Sequence, residues 1–206
     1  MKLNFILDLI DTLTSGDNMF AYKDIINHLQ LSLNAIHNNI ILNSAEYYTK
    51  TMDLNLGISK KQKIQIPTDY YLINYVVYED SQEYIEIPKG NIRNTFENDD
   101  LLFVFEYPNL IFFNNNISRT VELNYFYIPI TIPFDENEKN TFNIDIPNFA
   151  QNFYTWITLK SLRIQDNEIE KLLNITWDSA NNEFRGLLNK KNNSYQKDYR
   201  KFNSYY

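Results

Sequence analysis

The spacing of apolar residues changes twice along this chain, and that change constrains the fold more than any other feature. In residues 2–50 apolar side chains recur every three or four positions, as on one face of a helix. Short runs of β-branched and aromatic residues between turn signals follow in 51–145. Helical spacing returns in 147–190. The sequence therefore predicts an α+β protein in which helical segments flank a β-rich insertion.

Two amphipathic helices are predicted at the N-terminus, a short one and a long one. Each has an apolar stripe, formed by Leu3, Ile6, Leu7, Ile10 and Leu13 in the first and by Tyr22, Ile25, Ile26, Leu29, Leu33, Ile36, Ile40 and Ile41 in the second. A stripe of this kind must be covered, so an antiparallel pair is the simplest arrangement.

A second helix pair is predicted from Pro147 onward. Its stripes comprise Ala150, Phe153, Tyr154, Ile157 and Ser161, and then Ile169, Leu172, Leu173, Trp177, Ala180, Phe184, Leu187 and Leu188. A helix can cover only part of its partner's stripe, so we expect both pairs to pack together into one antiparallel bundle. In that bundle Trp177 is expected to be a core residue.

The middle of the chain is predicted to form a small antiparallel sheet or sandwich. The strand candidates are 63–66, 70–78, 83–87, 101–107, 110–113 and 119–128, with a hairpin around Pro108–Asn109. The expected organisation is then an N-terminal helix pair (1–50), a β insertion (51–145), a C-terminal helix pair (146–190) and an extended C-terminal tail (191–206).

Charge is distributed unevenly along the chain. The whole chain has a formal charge of −7, but residues 189–206 hold five basic side chains and one acidic one, which leaves the rest at −11. An acidic body repels nucleic acid phosphates. We predict that 191–206 orders on binding an acidic partner, with aromatic side chains in grooves and basic groups at the rim. The predicted docking residues are Tyr195, Tyr199, Arg200, Lys201, Phe202, Tyr205 and Tyr206. The alternative is a tail folded back on its own domain.

No catalytic, cofactor or metal residue is predicted. The chain has no cysteine, which excludes disulfides and thiol chemistry. His28 and His37 fall on opposite faces of one helix, so surface or edge histidines are favoured over a shared metal. The acidic runs 97–100 and 135–138 are interpreted as solvated turns, because they lack the ligand spacing of a calcium loop. No segment reaches the ~18 apolar residues of a membrane span, and a cytosolic chain is expected.

Four short segments appear in a recognisable order. Tyr47-Tyr48-Thr49-Lys50-Thr51 follows the long helix, and residues 63–70 (KIQIPTDY) lead into a strand. Residues 121–129 (VELNYFYIP) follow a predicted strand pair, and 144–149 (IDIPNF) open the second helix pair. This order resembles the head-to-tail adaptor, or connector ring, proteins of short-tailed bacteriophages, and the resemblance covers nearly the whole chain in layout.

The resemblance implies a structural virion protein at the head–tail junction, assembled in the host cytoplasm and without catalysis. It implies a ring of about twelve copies beneath the portal protein, in contact with tail or nozzle proteins. DNA would pass through the channel without specific binding, and no membrane would be involved. The resemblance also identifies the partner of the C-terminal docking residues as the portal.

Two other functions are considered as alternatives. The aromatic side chains of the β block could stack on sugars, in a glycan-binding module of a phage tail or fibre. That set comprises Tyr70, Tyr71, Tyr75, Tyr78, Tyr84, Phe103, Phe105, Phe112, Phe113, Tyr125, Phe126 and Tyr127. Core packing and subunit contact are the favoured interpretation of these residues. An enzyme of unknown type is the least supported alternative.

Overall fold

The computed structural model divides the chain into two compact units, one mainly helical and one built of β-strands. The helical unit comprises Met1–Tyr47 and Pro129–Tyr206, and the β unit comprises Tyr48–Ile128. The predicted α+β class is confirmed, with five α-helices and two antiparallel sheets in the part of the chain that is described. The described residues are 1–14, 20–43, 46–80, 83–90 and 100–202, with the backbone alone described at 46 and 190–202.

The helical unit contains α1 to α5 in chain order. Their bounds are Leu3–Leu13, Tyr22–Leu42, Gln151–Ser161, Asp166–Leu173 and Trp177–Phe202. Leu3, Ile6 and Ile10 of α1 are buried, as their spacing predicts. In α2 the buried set includes Ile26, Leu29, Leu33, Ile36, Ile40 and Ile41, which confirms most of the predicted stripe.

The C-terminal helical region contains three helices, so the prediction of a helix pair there is wrong. Asn174 ends α4 in the left-handed conformation, with a φ of 51°. This conformation terminates helices and is tolerated by asparagine. The Thr176 hydroxyl then accepts a 3.2 Å hydrogen bond from the Ser179 amide at the start of α5. The apolar spacing continues across Asn174, so the spacing gives no sign of the break between α4 and α5.

The C-terminal segment also differs from the extended tail that was expected. The backbone of residues 191–202 continues α5 as far as Phe202. The side chains of the predicted docking residues Tyr195, Tyr199, Arg200, Lys201 and Phe202 lie outside the described part of the structure, as do Tyr205 and Tyr206 entirely.

The two helical segments, about a hundred residues apart in sequence, belong to one unit. The Tyr154 hydroxyl of α3 donates a 3.1 Å hydrogen bond to the Leu29 carbonyl of α2. Next to Leu29 on α2, His28 Nδ1 lies 3.0 Å from Oγ of Ser161 at the end of α3. Trp156 of α3 is fully buried, whereas Trp177 is half-buried, so the core tryptophan is Trp156.

Residues 129–145, expected in the β insertion, belong to the helical unit instead. The Ile132 amide donates a 2.8 Å hydrogen bond to Gln30 Oε1 on α2. Lys2 and Asn143 form an antiparallel bridge beside α1. Ile130 and Ile132 alternate between two prolines, a pattern that predicts a strand. The Ile132 amide nevertheless bonds to a helical side chain and not to a strand.

The β unit contains seven strands in two antiparallel sheets among the described residues. The strands are β1 (Thr49–Leu56), β2 (Ser59–Gln65), β3 (Tyr70–Asp80), β4 (Glu83–Glu86), β5 (Leu102–Glu106), β6 (Asn109–Asn115) and β7 (Arg119–Tyr127). The sheet orders are β1-β7-β3-β4 and β2-β6-β5. The hairpin between β5 and β6 is confirmed and contains a cis Tyr107–Pro108 peptide. Strand β1 was not predicted.

A single cluster of buried apolar side chains draws on both sheets of the β unit. It includes Leu54 and Leu56 of β1, Val76 of β3, Phe103 of β5, Leu110 and Phe112 of β6, and Val121, Leu123 and Tyr125 of β7. These residues alternate along their strands, as expected where one face of each sheet is buried.

Candidate interaction surfaces

The two histidines occupy different environments on α2. His28 is half-buried beside Ser161, in line with the prediction of an edge residue. His37 is buried, with 2% of its surface exposed, so the prediction of a surface or edge position is wrong for it. In the described residues no group of three or more histidine, aspartate or glutamate side chains could hold a metal ion.

The aromatic residues of the β block are mostly parts of the core. Phe103, Phe112, Tyr125 and Phe126 are buried, and Tyr70, Tyr78, Phe105 and Tyr127 pack half-buried against the core cluster. Ring contacts connect the two sheets, with the Tyr70 and Phe105 centroids 5.2 Å apart. From the set considered for sugar stacking, Tyr71 and Tyr84 are the exposed members, at 47% and 69%.

One ionic network lies at the end of the β unit where β1 begins and β7 ends. The Lys50 ammonium forms an ion pair with Asp69 and lies 4.5 Å from the centroid of the Tyr127 ring. The Tyr125 hydroxyl donates a 3.2 Å hydrogen bond to the other Asp69 oxygen. The hydrogen bond from Lys50 lowers the pKa of Asp69 below its ordinary value. Burial raises the pKa of Tyr125, and the Asp69 charge adds to this rise.

The acidic run 135–138 is exposed, which confirms the interpretation of a solvated turn. Asp135 caps a 3-10 helix at Glu136–Glu138, accepting a 2.9 Å hydrogen bond from the Asn137 amide. Burial raises the pKa of the nearby Tyr22 hydroxyl, and the negative charges of Glu136, Asp135 and Glu138 add to this rise. The other acidic run lies outside the described residues, except for Asp100.

A cleft of about 650 Å³ opens beside this acidic 3-10 helix in the helical unit. Its lining consists of Leu7, Asp8, Ile10, Asp11, Thr14, Phe20, Ala21, Tyr22, Ile25, Glu136 and Lys139. Three carboxylates against one lysine make the lining acidic, which disfavours an anionic ligand.

Two edge strands of the β unit carry opposite charges. In β2, at one edge of the three-stranded sheet, Lys60, Lys61 and Lys63 are all exposed. In β4, at one edge of the four-stranded sheet, every residue is exposed and both Glu83 and Glu86 are acidic. We refer to these as the basic edge (59–65) and the acidic edge (83–86).

The described helices include none with the length and apolar character required to cross a membrane. Comparison with known proteins adds no identification: no protein-family model matches the chain, and no curated protein matches it significantly.

Proposed function

We propose that this protein is a subunit of a connector ring at the head–tail junction of a short-tailed bacteriophage, where it docks on the portal. The proposed fold is a helical bundle with an inserted β-sandwich, and the proposed role is structural, without catalysis. The resemblance in segment order motivates this proposal. The length and composition of α5 are the observation that supports it most directly.

Helix α5 continues well beyond Leu188, which is the last of its side chains that the structure describes as buried. Ala180, Phe184 and Leu188 are buried, and Phe184 stacks on Phe153 of α3 with ring centroids 4.6 Å apart. The helix continues for 14 residues after Leu188, to Phe202, which corresponds to about 21 Å at 1.5 Å per residue. A helix this long offers a docking element that a partner protein can cover.

Two of the three aromatic residues in the C-terminal half of α5 share the helical phase of Phe184. Tyr195 and Phe202 are 11 and 18 positions beyond Phe184. At about 100° per residue, these separations bring all three positions to within about 20° of one another. An apolar stripe that continues in phase is the pattern of a helix that lies in a groove of its partner. The surplus of basic residues in 189–206 favours an acidic groove.

The experiment removes residues 191–206 and measures binding to the portal protein of the same phage. We expect the truncated chain to keep its fold and its melting temperature, because the α5 side chains described as buried, Ala180, Phe184 and Leu188, all precede the deletion. We expect its binding to the portal to be lost. Negative-stain images of the full chain with the portal should show a ring around an open channel.

A triple variant tests the aromatic stripe without shortening the helix. Tyr195→Ser, Tyr199→Ser and Phe202→Ser together should weaken portal binding at least about a hundredfold, since buried aromatic anchors dominate interfaces. The matched control replaces Asn193 and Gln196, which lie outside the stripe, by alanine and should bind normally. Unaltered affinity and salt dependence in the truncated chain would contradict the docking role.

The glycan-binding alternative predicts saturable binding of an oligosaccharide by the isolated protein. Tyr71 and Tyr84 are the exposed rings that such binding would use. Binding to a glycan array that is lost in Tyr71→Ala or Tyr84→Ala would favour this alternative over the connector.

A further inference from the structure

Each sheet of the β unit has two outer strands, β1 and β4 in one sheet and β2 and β5 in the other. In the described residues no further strand pairs with the outer side of β2 or of β4. An edge strand of this kind presents backbone N–H and C=O groups that can pair with another chain. The outer sides of β2 and β4 therefore offer backbone groups for a contact with a partner.

The side chains of the two edges are complementary in charge. The basic edge holds three lysines and no acidic residue, and the acidic edge holds two glutamates and no basic residue. Glu79 of β3, directly opposite Tyr84 of β4, adds a further exposed carboxylate at the acidic edge. Lys61 and Lys63 share one face of β2, where their register partners are Phe113 and Ile111 of β6.

Charged edge strands also occur in proteins that must stay monomeric, because like charges keep two copies of an edge apart. Here the signs differ between the two edges of one molecule. The charges then oppose pairing of like edges and favour contact between the basic edge of one copy and the acidic edge of another. Tyr84 and Ile85, exposed at 69% and 38%, add apolar surface at the acidic edge.

We propose that copies of this chain associate head to tail, with the acidic edge of one β unit against the basic edge of the next. This inference rests on the proposed function and names the contact between neighbouring subunits. A contact between two different surfaces of the same chain repeats from copy to copy, and it closes into a ring when the rotation allows. Opposite charges at the contact make the association sensitive to salt.

The test uses two charge-reversed variants of the full chain. The first is Lys61→Glu with Lys63→Glu, and the second is Glu83→Lys with Glu86→Lys. Wild-type protein at about 100 μM and low ionic strength should sediment as an oligomer. Each variant alone should be monomeric, with association at least about tenfold weaker, because its two edges then carry the same sign. Circular dichroism verifies that both variants are folded.

An equimolar mixture of the two variants should assemble again. The first variant keeps the native acidic edge, which can contact the native basic edge of the second variant. The reversed edge of the first variant is now acidic and that of the second is now basic, so these two edges are also complementary. Matched controls reverse exposed charges of the helical unit, Lys23→Glu with Lys171→Glu and Glu168→Lys with Glu170→Lys, and should assemble as the wild type does.

Two results would overturn the edge contact. One is a wild-type chain that stays monomeric under these conditions, and the other is an oligomer of unchanged mass in both reversed variants. Rings on the portal formed by both reversed variants would leave the connector function standing with a different contact. Failure of the full chain to bind the portal, with edge-dependent oligomers in solution, would reject the connector function alone.

Discussion

The Tyr154 hydroxyl of α3 donates a 3.1 Å hydrogen bond to the carbonyl oxygen of Leu29 on α2, and both side chains are fully buried. This bond joins two segments that are 125 positions apart in the chain. Tyr154→Phe removes the donor but keeps the ring, so we expect a loss of about 1 kcal/mol in unfolding free energy. Urea denaturation followed by tryptophan fluorescence measures it, because both tryptophans lie in the helical unit.

The matched control for this variant is Tyr84→Phe, which removes an exposed hydroxyl from the β unit. Its tryptophan-detected transition should be unchanged. A Tyr154→Phe variant as stable as the wild type would show that the interhelical bond adds nothing to the helical unit.

The two tryptophans should differ in their contribution to stability. Trp156 is fully buried and contacts Trp177 edge to face, with ring centroids 6.0 Å apart. Trp156→Ala should cost ~3–5 kcal/mol, because it leaves a cavity in a packed core. Trp177 is half-buried and lies under Lys160, so Trp177→Ala should cost clearly less. The remaining tryptophan reports the urea transition of each variant, and equal losses would contradict the assigned burial.

The Asp69 network should make the β unit sensitive to acid. The pKa of Asp69 is lower in the folded chain, so its ionised form stabilises the fold above the ordinary pKa of an aspartic acid. That contribution is lost as the pH falls through the lowered pKa. Asp69→Asn should cost less than about 1 kcal/mol at pH 7, because the ion pair is partly exposed.

Circular dichroism of urea unfolding at several pH values between 7 and about 3 tests this prediction. The stability difference between wild type and Asp69→Asn should shrink toward low pH. Lys50→Met, which removes the main cause of the lowered pKa, serves as the companion variant. A difference that is constant over the whole pH range would contradict it.

Gly90 should accept a larger side chain only at the cost of a shift of the Leu102 side chain. A Cβ atom added at this position would lie 2.6 Å from Cδ1 of Leu102, which is itself buried. The backbone cannot easily retreat, since the Gly90 amide donates a 2.7 Å hydrogen bond to the Phe103 carbonyl. Gly90→Ala should destabilise the β unit by about 1–3 kcal/mol. Faster amide hydrogen exchange in β5 is the expected readout.

Gly57→Ala provides the control, because no atom lies within 4 Å of the added Cβ. Combining Gly90→Ala with Leu102→Ala should cost less than the sum of the two single changes, since the second substitution relieves the clash. Strict additivity would mean that the two side chains do not meet.

Features with a regular period could be predicted from the sequence, and features set by single residues could not. The stripes of α1 and α2 and the β5–β6 hairpin follow from apolar spacing and a proline turn. Asn174 interrupts a pattern that stays in helical phase on both sides, so the break before α5 has no periodic signal. Strand β1 has mostly exposed residues and only Leu54 and Leu56 buried, which is too few for alternation to be evident.

The candidate surfaces were predictable in composition but not in position. Lysines 60, 61 and 63 are visible as a basic run, yet their place at a sheet edge depends on the non-local pairing of β2 with β6. His37 illustrates the same limit, because a helical wheel gives its direction but not which face the rest of the unit covers.

The β unit begins and ends on neighbouring strands, since Thr49 of β1 is the register partner of Phe126 of β7. The ends of this 81-residue excursion are therefore only about 5 Å apart. The helical segments on either side are therefore connected as they would be by a short loop. The entropic cost of closing such a loop rises only slowly with the number of residues in it. Replacing the β unit by a few glycine and serine residues is thus a feasible way to obtain the helices alone. Strands could also be added to the β unit or lost from it during evolution without disturbing the helical segments.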